Sequence, residues 1–522
     1  MSAAAAAAAA VATESLRAAL DAAGVLVGVR GTLPGTIGAL TDDSRTVAAG
    51  SCFVAVRGSV RDGHAFLPGV AAAGATCVIA EDPALTELPA LVVRDARAAA
   101  AIAAGAFYGR PGDRLRIVGV TGTNGKTTTV ALLRHLLDTP DAPAASIGTL
   151  GVVSGDGRPF PGGAGLTTPG PIELQRVLRA LVDGGVKRLA IETSSHALEQ
   201  QRVRGLRFAA GVFTNLTREH LDYHGTMAAY LAAKASLIGA LEPDGTAVVN
   251  ADDPAWRDLP AAPRVLRFGA TNPTADVRAE EVRYTPRGSA WLLRTADGAR
   301  PVVLPLIGDF NVANALGAAA AALALGVPLE QVAARLATVP QVPGRLELLA
   351  DQPTVLRDYA HTPDALARAL AALRPFTPGR LIVVFGCGGD RDRGKRPLMA
   401  EAARAGADHL VVTSDNPRTE DPERILDEIV APLAAGSYDR IEDRRTAIAH
   451  AIGLATPAGD AARGGARGNR GDVVLLAGKG HETYQVRGTE RLPFDEAQIV
   501  RELLGAGGGA GTGIAGNRGA AR

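Results

Sequence analysis

The string TGTNGKTT at residues 121–128 decides the fold that this sequence predicts. An apolar run, LRIVGV at residues 115–120, precedes it, and a helical pattern follows through Leu137. A strand, a glycine-rich turn and a helix start together aim backbone N–H groups and the positive helix end at phosphate oxygens. In such a loop Lys126 would reach the β- and γ-phosphates of a nucleotide, and the Thr127 hydroxyl would bind Mg²⁺. The residues expected to hold a nucleoside triphosphate here are Gly122, Thr123, Asn124, Gly125, Lys126, Thr127 and Thr128.

Lysine is rare in this chain and most of it lies in motifs. Five lysines, at positions 126, 187, 234, 395 and 479, stand against fifty arginines. An ammonium group is compact and can lose its proton to give a reactive amine, whereas a guanidinium stays charged. The lysines within motifs are therefore candidates for work that arginine cannot do, while Lys187 has no role that the sequence indicates.

The composition is that of a large globular protein. The 522 residues are 47% hydrophobic and 21% charged, with a formal net charge of +1, and this length predicts three or four domains. The charge balance gives no reason to expect nucleic acid or an anionic membrane surface as a partner. The sequence contains no run of about 18 strongly apolar residues, so it predicts no membrane span. The three cysteines fit neither a disulfide framework nor a zinc site. We expect a cytoplasmic monomer that binds small molecules.

Short apolar runs alternate with helical patterns along most of the chain, which predicts an α/β protein built on mostly parallel sheets. In such sheets the ligand crevice lies at the carboxyl ends of the strands. Several predicted strands end in polar or glycine-rich strings, so the motifs fall where this fold would use them. The predicted strands cover residues 115–120, 188–192, 211–215, 247–250, 381–385, 409–413 and 472–476.

Two strings rich in proline and glycine mark predicted domain boundaries, GRPGD at residues 109–113 and PQVPGR at residues 340–345. They divide the chain into domains of residues 1–112, 113–345 and 346–505, followed by a tail of residues 506–522. We expect about the first 20 residues, the glycine- and arginine-rich patch at 462–471 and the tail to be flexible, because their composition is biased towards small and polar residues.

Two further predicted strands end in strings with metal-binding side chains. ETSSH at residues 192–196 ends one strand, and NLTREHLDYHG at residues 215–225 ends another. Both strings would meet the phosphate loop at one sheet edge, and hard oxygen ligands such as Glu192 suit Mg²⁺. They therefore predict the metal site that a nucleoside triphosphate requires.

The strict phosphate-loop pattern needs glycine at position 120, where this chain has Val120. The string TGTNGKTT after an apolar strand instead resembles the Mur ligases, ATP-dependent and ADP-forming amide ligases that build the peptidoglycan stem peptide. A guanine-nucleotide switch would need an Asn-Lys-x-Asp string, and no lysine here follows an asparagine. The resemblance covers roughly residues 40–500. It implies an N-terminal UDP-sugar-binding domain, a central P-loop-like ATPase domain on a parallel sheet, and a Rossmann-like C-terminal amino-acid-binding domain.

In the central domain this resemblance implies residue roles. Lys234 in YLAAK at residues 230–234 matches a lysine that CO₂ carbamylates, which turns a cation into an anion able to help bind a second Mg²⁺. Asn311 in GDFNVAN at residues 308–314 matches an adenine contact. The implied metal ligands are Thr127, Glu192, His220 and Lys234, and the implied catalytic residues are Lys126, Glu192, His220 and Lys234.

The string DNPR at residues 415–418 follows the predicted strand at 409–413 and resembles Mur ligases that add meso-diaminopimelate. This diamino diacid differs from lysine by one distal carboxylate, which the guanidinium of Arg418 can bind bidentately. A lysine-adding enzyme would instead bury an unpaired charge there. By resemblance, Arg391 contacts a carboxylate of diaminopimelate, and the Gly478 carbonyl and Glu482 receive its distal ammonium. The implied acceptor-binding residues are Arg391, Asp415, Asn416, Pro417, Arg418, Gly478 and Glu482.

The remaining implied contacts are to the UDP-sugar substrate. Ser44 in DDSR at residues 42–45 and the turn at residues 59–61 match the uridine-nucleotide end. Leu166 stands where the family usually has an asparagine, so one expected substrate hydrogen bond has no match. The residues that match positions holding the sugar and the acidic peptide are Thr167, Thr168, Ser194, Gln200 and Arg202.

Together these resemblances imply an ADP-forming acid–amino-acid ligase of peptidoglycan synthesis. It would use ATP and Mg²⁺ to add meso-diaminopimelate, through an acyl phosphate, to the D-glutamate γ-carboxylate of UDP-N-acetylmuramoyl-L-alanyl-D-glutamate. Three different functions stay open beside it: a Mur ligase that adds lysine, a ligase like folylpolyglutamate synthase, and a non-catalytic nucleotide-binding regulator on a ligase scaffold.

Overall fold

The computed structural model describes residues 10–58, 61–163, 165–455 and 471–506. The alanine run up to residue 9, turn residues 59 and 60, the patch at residues 462–470 and the tail beyond residue 506 lie outside this description. Packing divides the chain into two compact units. The first consists of residues up to 282 together with 291–304 and 310–339, and the second of residues 283–290, 305–309 and those from 340 onward.

The first unit begins with a small sheet and three helices. Their bounds are β1 (Val11–Ala12), α1 (Thr13–Ala22), β2 (Leu26–Arg30), β3 (Thr36–Ile37), β4 (Ala39–Thr41), β5 (Ser51–Val54), α2 (Leu67–Val70), β6 (Ala75–Ala80), β7 (Ala90–Val93) and α3 (Ala96–Phe107). The strand order is β2-β7-β6-β5-β4, and every pair except β2 with β7 is parallel. Cys52 and Cys77 lie buried in its core as free thiols.

One expectation fails at the N-terminus. We expected about the first 20 residues to be flexible, but α1 is helical from Thr13. Leu16 and Leu20 are fully buried in the core of the small sheet. They stand four residues apart, on one face of the helix, so a single apolar stripe anchors this alanine-rich segment.

The first unit continues with an 11-stranded sheet. Its strands are β8 (Arg116–Thr121), β9 (Ala144–Gly148), β10 (Gly151–Ser154), β11 (Pro159–Phe160), β12 (Arg188–Glu192), β13 (Phe208–Phe213), β14 (Leu241–Asn250), β15 (Arg264–Gly269), β16 (Val277–Thr285), β17 (Gly288–Thr295) and β18 (Gly298–Leu304). The order is β11-β10-β9-β12-β8-β13-β14-β15-β16-β17-β18, parallel from β9 through β16. Because β12, β8 and β13 are neighbours, their carboxyl ends bring the strings at 192–196, 121–128 and 215–225 to one edge.

Helices cover this sheet. They are α4 (Lys126–Leu137), α5 (Pro171–Asp183), α6 (Ser195–Glu199), α7 (Leu221–His224), α8 (Met227–Ala235), α9 (Asp309–Ala324) and α10 (Leu329–Leu336). β8 is buried on both faces, which accounts for its unbroken apolar run. Gly119 lies in its middle, where a Cβ would come within 2.9 Å of the Phe208 ring. A larger residue there would push β8 and β13 apart.

The second unit contains a six-stranded sheet and a hairpin. Its strands are β19 (Glu347–Asp351), β20 (Thr354–Asp358), β21 (Leu381–Phe385), β22 (His409–Val412), β23 (Asp439–Arg440), β24 (Val473–Ala477), β25 (Tyr484–Arg487) and β26 (Glu490–Pro493). The sheet order is β19-β20-β24-β21-β22-β23, parallel except between β19 and β20. The helices are α11 (Pro363–Leu373), α12 (Lys395–Gly406), α13 (Pro422–Val430), α14 (Arg444–Ala455) and α15 (Glu496–Ala506).

The structure confirms the predicted α/β class with parallel sheets. All seven predicted strands are present, with ends that differ by up to six residues. The units divide between residues 339 and 340, close to the predicted boundary at 345, and α15 continues through Ala506, where the tail was predicted to begin. The exact domain limits stay a prediction. Within the described ranges, no helix combines the length and the apolar character that crossing a bilayer requires.

Candidate active site

The phosphate loop connects β8 to α4 and depends on two glycines. Gly125 has φ of 85° and Gly122 has φ of 148°. A Cβ at Gly125 would collide with the side-chain oxygen of Asn314, and one at Gly122 would collide with the Thr214 hydroxyl. Both positions therefore require glycine by conformation and by space.

The end of β13 holds this loop in place. The Asn215 side chain accepts from the Asn124 N–H at 2.9 Å and donates to the Asn124 carbonyl at 3.1 Å. The Thr214 hydroxyl donates to the same carbonyl at 2.7 Å, and the Thr123 N–H donates to the Asn215 carbonyl at 2.8 Å. Sequence reasoning read the 215–225 string as metal-binding and missed this clamp, which presets the loop before any ligand binds.

Two lysines converge on one carbonyl of the loop. Lys126 Nζ donates to the Gly122 oxygen at 2.9 Å and to the Thr123 oxygen at 2.7 Å. Lys234 Nζ, near the end of α8, donates to the same Gly122 oxygen at 2.7 Å. Lys234 is only 1% exposed, and its Nζ lies 4.4 Å from the centre of the Tyr230 ring. The predicted phosphate lysine and the predicted carbamate lysine are thus neighbours.

This setting disfavours the charged form of Lys234. Burial lowers its pKa well below the usual lysine value, and the charge of Lys126 lowers it further, against a weaker opposing attraction from Glu219. A neutral amine is the form that reacts with CO₂. A carbamate there would place a negative charge beside Lys126, so the surroundings favour the modification that the resemblance implies.

Glu192 is fixed at the end of β12. It is 1% exposed, its Oε1 accepts from the Thr149 N–H at 2.8 Å, and its Oε2 accepts from the Thr149 hydroxyl at 3.2 Å. A Cβ at Gly148 would collide with this carboxylate. Glycine at the end of β9 therefore makes the room in which the carboxylate sits.

Three histidines pack together beside the loop. The His196 and His220 rings lie 4.8 Å apart, and the His196 and His224 rings lie 5.4 Å apart. Burial, followed by the charges of His220 and His224, lowers the pKa of His196 to about 4. Burial also lowers the pKa of His220, and the neutral imidazole is the form that binds metals. His196 ends the string at residues 192–196, but no role was predicted for it from the sequence.

The candidate metal ligands come from separate elements around the loop. Thr127 lies in the first turn of α4, Glu192 ends β12 and His220 precedes α7. The hydroxyl and the fixed carboxylate supply the hard oxygen donors that Mg²⁺ prefers, and a carbamate on Lys234 would add another. The neutral imidazole of His220 would complete the set as a single nitrogen donor. Their predicted roles are thus compatible with their positions.

The residues expected to hold the sugar and peptide form one network. The Thr168 hydroxyl donates to the Glu192 carbonyl at 2.7 Å and accepts from the Ser194 N–H at 3.2 Å. Arg202 donates to the Thr168 carbonyl at 2.9 Å and to Gln200 Oε1 at 2.7 Å. Among residues with described positions, no carboxylate lies within 4 Å of the Arg202 guanidinium, which leaves it able to bind an acidic substrate.

The same network reaches the metal-binding strings. Gln200 donates to the Tyr223 hydroxyl at 3.1 Å, and Tyr223 lies against His196 at 4.3 Å between ring centres. The Thr149 hydroxyl donates to Thr167 at 3.4 Å. Leu166 beside Thr167 is 49% exposed. The predicted substrate residues and Glu192 therefore share one surface.

Ser44 and Asn311, two other predicted substrate or nucleotide contacts, lie outside this network. Ser44 begins a 3₁₀ turn, Ser44–Thr46, in the small-sheet region, where Asp43 caps the turn. Asn311 is 1% exposed and accepts from Asn314 at 3.0 Å. Because Asn314 is the residue that lies against Gly125, Asn311 touches the loop through this neighbour, which sequence reasoning did not single out. The roles of Ser44 and Asn311 stay predictions.

In the second unit, the carboxyl ends of β21 and β22 bring two arginines together. A Cβ placed at Gly388 would lie 2.8 Å from Arg418 Nη1 and 3.9 Å from Arg391 Cγ. Arg418 has φ of 53°, and its guanidinium donates to the Gly389 carbonyl at 2.7 Å. Pro417 packs against Gly389, where a Cβ would strike its carbonyl. The DNPR turn and the loop of Arg391 thus form one surface.

A buried lysine lies beneath this surface. Lys479 is fully buried, and its Nζ lies 3.1 Å from Asn416 Oδ1 and 3.2 Å from Glu482 Oε2. Asp415 Oδ1 is 3.7 Å from the same Nζ, and no hydrogen bond reaches this oxygen from the described residues. Gly478 has φ of 113°, and a Cβ there would lie 3.1 Å from Asp415 Oδ2. Glu482, which was predicted to receive the acceptor's ammonium, is therefore already paired with Lys479. The motifs indicated no contact for this lysine.

An ion network joins the two arginine loops from behind. The Arg396 side chain is fully buried and donates to Glu420 at 2.9 Å and to Glu428 at 2.7 Å. Glu420 also accepts from the Asp390 N–H at 2.5 Å. Hydrogen bonding to Arg396 lowers the pKa of Glu420 to about 2, and the bond from Asp390 adds to this. Glu420 thus ties the loop of Arg391 to the turn of Arg418.

Comparison with known proteins agrees with this architecture. Three family models match in order along the chain: the Mur ligase family catalytic domain at residues 36–108, the Mur ligase middle domain at 120–322 and the Mur ligase glutamate ligase domain at 344–480. The chain belongs to the Mur ligase family.

Relatives within this family carry a more specific name. A protein of Geobacillus kaustophilus is 45% identical over 89% of this chain and 94% of its own length, and one of Synechococcus elongatus is 46% identical over 89% and 93%. Both are named UDP-N-acetylmuramoyl-L-alanyl-D-glutamate–2,6-diaminopimelate ligase. A solved structure of that name is 35% identical with a TM-score of 0.63, covering 91% of this chain and 96% of its own. MurF from Acinetobacter baumannii, 22% identical over 96% and 99% of the two chains with a TM-score of 0.62, shares the fold.

Proposed function

We propose that this chain is an ATP-dependent, ADP-forming ligase that adds meso-2,6-diaminopimelate to the D-glutamate γ-carboxylate of UDP-N-acetylmuramoyl-L-alanyl-D-glutamate. The names of the similar proteins support this substrate pair. The observation that carries the proposal is the state of two arginines. Arg393 and Arg396 pair with glutamates, but within the described part of the chain no carboxylate lies within 4 Å of Arg391 or Arg418.

Unpaired arginines on one surface suit an acceptor with an additional carboxylate. A guanidinium binds a carboxylate bidentately, so the distal carboxylate of diaminopimelate would supply the partner that Arg391 and Arg418 lack among the described residues. Asp415 Oδ1 lies 3.7 Å from Lys479 Nζ and accepts no hydrogen bond from the described residues, so it can accept one from the ammonium next to that carboxylate. A lysine acceptor would satisfy the acid and leave both arginines unpaired.

The reaction requires activation of the γ-carboxylate, because a carboxylate is a poor acyl donor. One of its oxygens bonds to the γ-phosphorus of ATP as the bond from that phosphorus to the bridging oxygen breaks, which gives an acyl phosphate and ADP. Lys126 now donates to two carbonyls of its own loop. Charged phosphate oxygens are stronger acceptors than these carbonyls, so Lys126 would turn to the transferred group and stabilise its charge.

Mg²⁺ would neutralise the polyphosphate, and its donors in this chain would be Thr127, Glu192, His220 and a carbamylated Lys234. The Thr149 bonds that fix Glu192 would keep this carboxylate oriented without reorganisation during the reaction. Arg202, Gln200 and Thr168 would hold the acidic muramyl peptide beside the loop. Positioning the carboxylate against the nucleotide in this way lowers the barrier without additional chemistry.

The second step forms the amide bond. The unprotonated amine of diaminopimelate attacks the acyl carbon, and the tetrahedral intermediate expels inorganic phosphate while the nitrogen gives up a proton. Arg391 and Arg418 would orient the acceptor from its far end. Arg391 and Arg418 would contact the acceptor and neither of the other two substrates. Substituting them therefore tests the proposed identity of the acceptor.

The test is an acceptor-specificity assay. ADP release is measured with the muramyl dipeptide and either meso-diaminopimelate or L-lysine, for wild type, Arg418→Ala and the exposed Arg404→Ala as control. Wild type should prefer diaminopimelate, and Arg418→Ala should lower kcat/KM for diaminopimelate by about 30- to 1000-fold, as for a lost buried charge pair of about 2 to 4 kcal/mol. Activity with lysine should change little. Equal use of both acceptors by wild type would overturn the proposal.

The same assay distinguishes this ligase from a folylpolyglutamate synthase and from a non-catalytic regulator. A ligase of the folylpolyglutamate type would release ADP with folate and glutamate instead. A non-catalytic regulator would release none under any combination. The proposal requires that ADP release depend on both the muramyl dipeptide and the diamino acid.

A further inference from the structure

Three side chains of the second unit meet outside the acceptor motif. His409 begins β22, Asp439 begins β23 and His450 lies in α14. Nε2 of His409 and Nε2 of His450 each lie 2.7 Å from the same atom, Asp439 Oδ2. Neither the phosphate loop nor the acceptor surface uses any of these residues.

The geometry is close to that of a metal site. The three donor atoms all lie within 4.8 Å of one another. A tetrahedral zinc ion with bonds of about 2.0 to 2.1 Å holds its donors about 3.3 to 3.4 Å apart. Each nitrogen would therefore move away from the Asp439 oxygen by about 0.6 Å, a shift that side-chain rotation can provide.

The donors are also reachable and chemically suited. The side chains of His409, Asp439 and His450 are 29%, 38% and 38% exposed, respectively, so an aqueous ion can approach. Two imidazoles with one carboxylate favour a borderline cation such as Zn²⁺ over Mg²⁺, which prefers an all-oxygen shell. A ring that binds a cation through Nε2 carries its remaining proton on Nδ1.

We propose that His409, Asp439 and His450 form a binding site for a single Zn²⁺-like cation, with water in the fourth position. The ligands come from three elements, so the ion would fasten β23 to β22 and α14. β23 is a two-residue edge strand that pairs through Val411 with Asp439 and Val412 with Arg440. A cation bound at this edge would therefore stabilise the second unit against unfolding.

The site also shares a strand and a helix with the acceptor surface. β22 leads directly into residues 413–418, and Arg444 at the start of α14 donates to the Ala477 carbonyl at 2.8 Å. The cation would hold together the strand and helix that position this surface, without touching the reacting groups. Its effect should appear in stability, with catalysis on saturating substrates unchanged.

The experiment measures Zn²⁺ binding to the full-length protein by equilibrium dialysis and by the thermal unfolding midpoint. Zn²⁺ can also bind the candidate catalytic ligands, so the comparison is made in His220→Gln, which removes one of those, with and without a second substitution, His450→Gln or Asp439→Asn. We expect His220→Gln to retain one Zn²⁺ and the rise in midpoint. His450→Gln should weaken this binding at least about 100-fold, more than loss of a second-shell partner does.

Two results decide the outcome. Zn²⁺ affinity that is the same in His220→Gln with and without His450→Gln or Asp439→Asn would overturn the proposal, as would the absence of any Zn²⁺-induced rise in midpoint in His220→Gln. Mg²⁺ at the same concentration serves as the control ion and should not raise the midpoint through these residues. Circular dichroism of the variants without metal, unchanged from wild type, would establish that each is folded.

Discussion

Two buried lysines, one in each unit, occupy opposite environments. Lys234 is 1% exposed, and Lys479 is fully buried. Lys479 Nζ lies 3.2 Å from Glu482 and 3.1 Å from Asn416. Lys234 Nζ donates to the Gly122 carbonyl, has Lys126 as its neighbour, and has no carboxylate within 4 Å among the residues that the structure describes.

The difference shows that partners, more than burial, decide what a buried lysine can do. Burial alone favours the neutral amine, and at Lys234 the adjacent Lys126 adds to that preference. At Lys479 two acidic side chains and an amide oxygen surround the side-chain nitrogen beneath the acceptor surface. Lys234 is the lysine that we propose reacts, whereas Lys479 contacts two acidic side chains.

The largest effect should come from replacing Lys234. Lys234→Met removes the amine and keeps a long, unbranched side chain in a buried place, so ADP-forming activity should fall by about 10³- to 10⁴-fold, as when a charge-stabilising group is lost in phosphoryl transfer. Stability should stay equal or rise, because no carboxylate loses its partner. Steady-state ADP release and chemical denaturation check both halves.

Lys187→Met is the matched control for this substitution. Lys187 is exposed, and its Nζ donates to the Asp141 carbonyl at 3.0 Å, so activity and stability should stay within about 0.5 kcal/mol of wild type. Near-normal turnover in Lys234→Met would remove the proposed reactive role. Near-normal turnover in Lys234→Arg would do the same, because a guanidinium forms no carbamate.

Replacing Lys479 should affect stability more than the ADP-forming reaction. Lys479→Met leaves Glu482 and Asp415 without their cation in a buried place, so unfolding free energy should fall by about 3 kcal/mol. The KM for the diamino acid should rise as Asn416 and Glu482 lose their positions. Urea denaturation and acceptor titration measure the two effects.

A double substitution separates charge from packing at this position. Lys479→Met combined with Glu482→Gln removes both charges and should recover part of the lost stability, since a buried pair replaced as a whole costs less than one broken by half. If the double variant is as unstable as the single one, Lys479 acts through its packing and the contrast with Lys234 fails.

Much of this contrast could not be predicted from the sequence. Motifs at strand ends could be predicted because parallel strands deliver their carboxyl ends to one edge, and Thr168, Ser194, Gln200 and Arg202 do form one network. The pairing of Lys479 with Asn416 spans 63 residues, and the clamp of Asn215 on Asn124 spans 91. No local pattern encodes such distant contacts.

The N-terminal helix shows the opposite limitation. Alanine-rich composition predicted flexibility, yet Leu16 and Leu20 pack α1 into a core. Composition averages over a window, while packing depends on which face a few large side chains occupy. The ion pair between Glu420 and Arg396 was likewise not predicted, because Glu420 lies next to a motif and not within it.

A smaller effect should follow from Glu420→Gln, which keeps the shape and removes the charge that Arg396 binds. Glu420 has a pKa of about 2, lowered by Arg396, and the unfolded value is about 4.3. Its contribution is therefore present in full above pH 4.3 and is lost as the pH falls towards 2. At pH 7 the variant should be about 1 kcal/mol less stable than wild type, since the side chain is 18% exposed to solvent.

The pH profile distinguishes the ion pair from a general packing effect. The stability gap between Glu420→Gln and wild type should narrow between pH 4.3 and pH 2 and should be constant from pH 5 to pH 8. Denaturant midpoints at several pH values measure this gap. A gap that does not narrow in acid would show that the Arg396 pair does not contribute through its charge.

The smallest effect should come from Leu166, at the edge of the first unit's substrate network. Leu166 is 49% exposed and takes the place of the asparagine that the family resemblance leads one to expect beside Thr167 and Thr168. Leu166→Asn would restore one substrate hydrogen bond, worth about 0.5 to 1.5 kcal/mol, so the KM for the muramyl dipeptide should fall by about 2- to 10-fold. Stability should change by less than about 0.5 kcal/mol because the position is open to solvent. An unchanged KM for the dipeptide would mean that the Thr168 and Arg202 network already satisfies this substrate, and that an apolar residue at 166 costs the enzyme nothing.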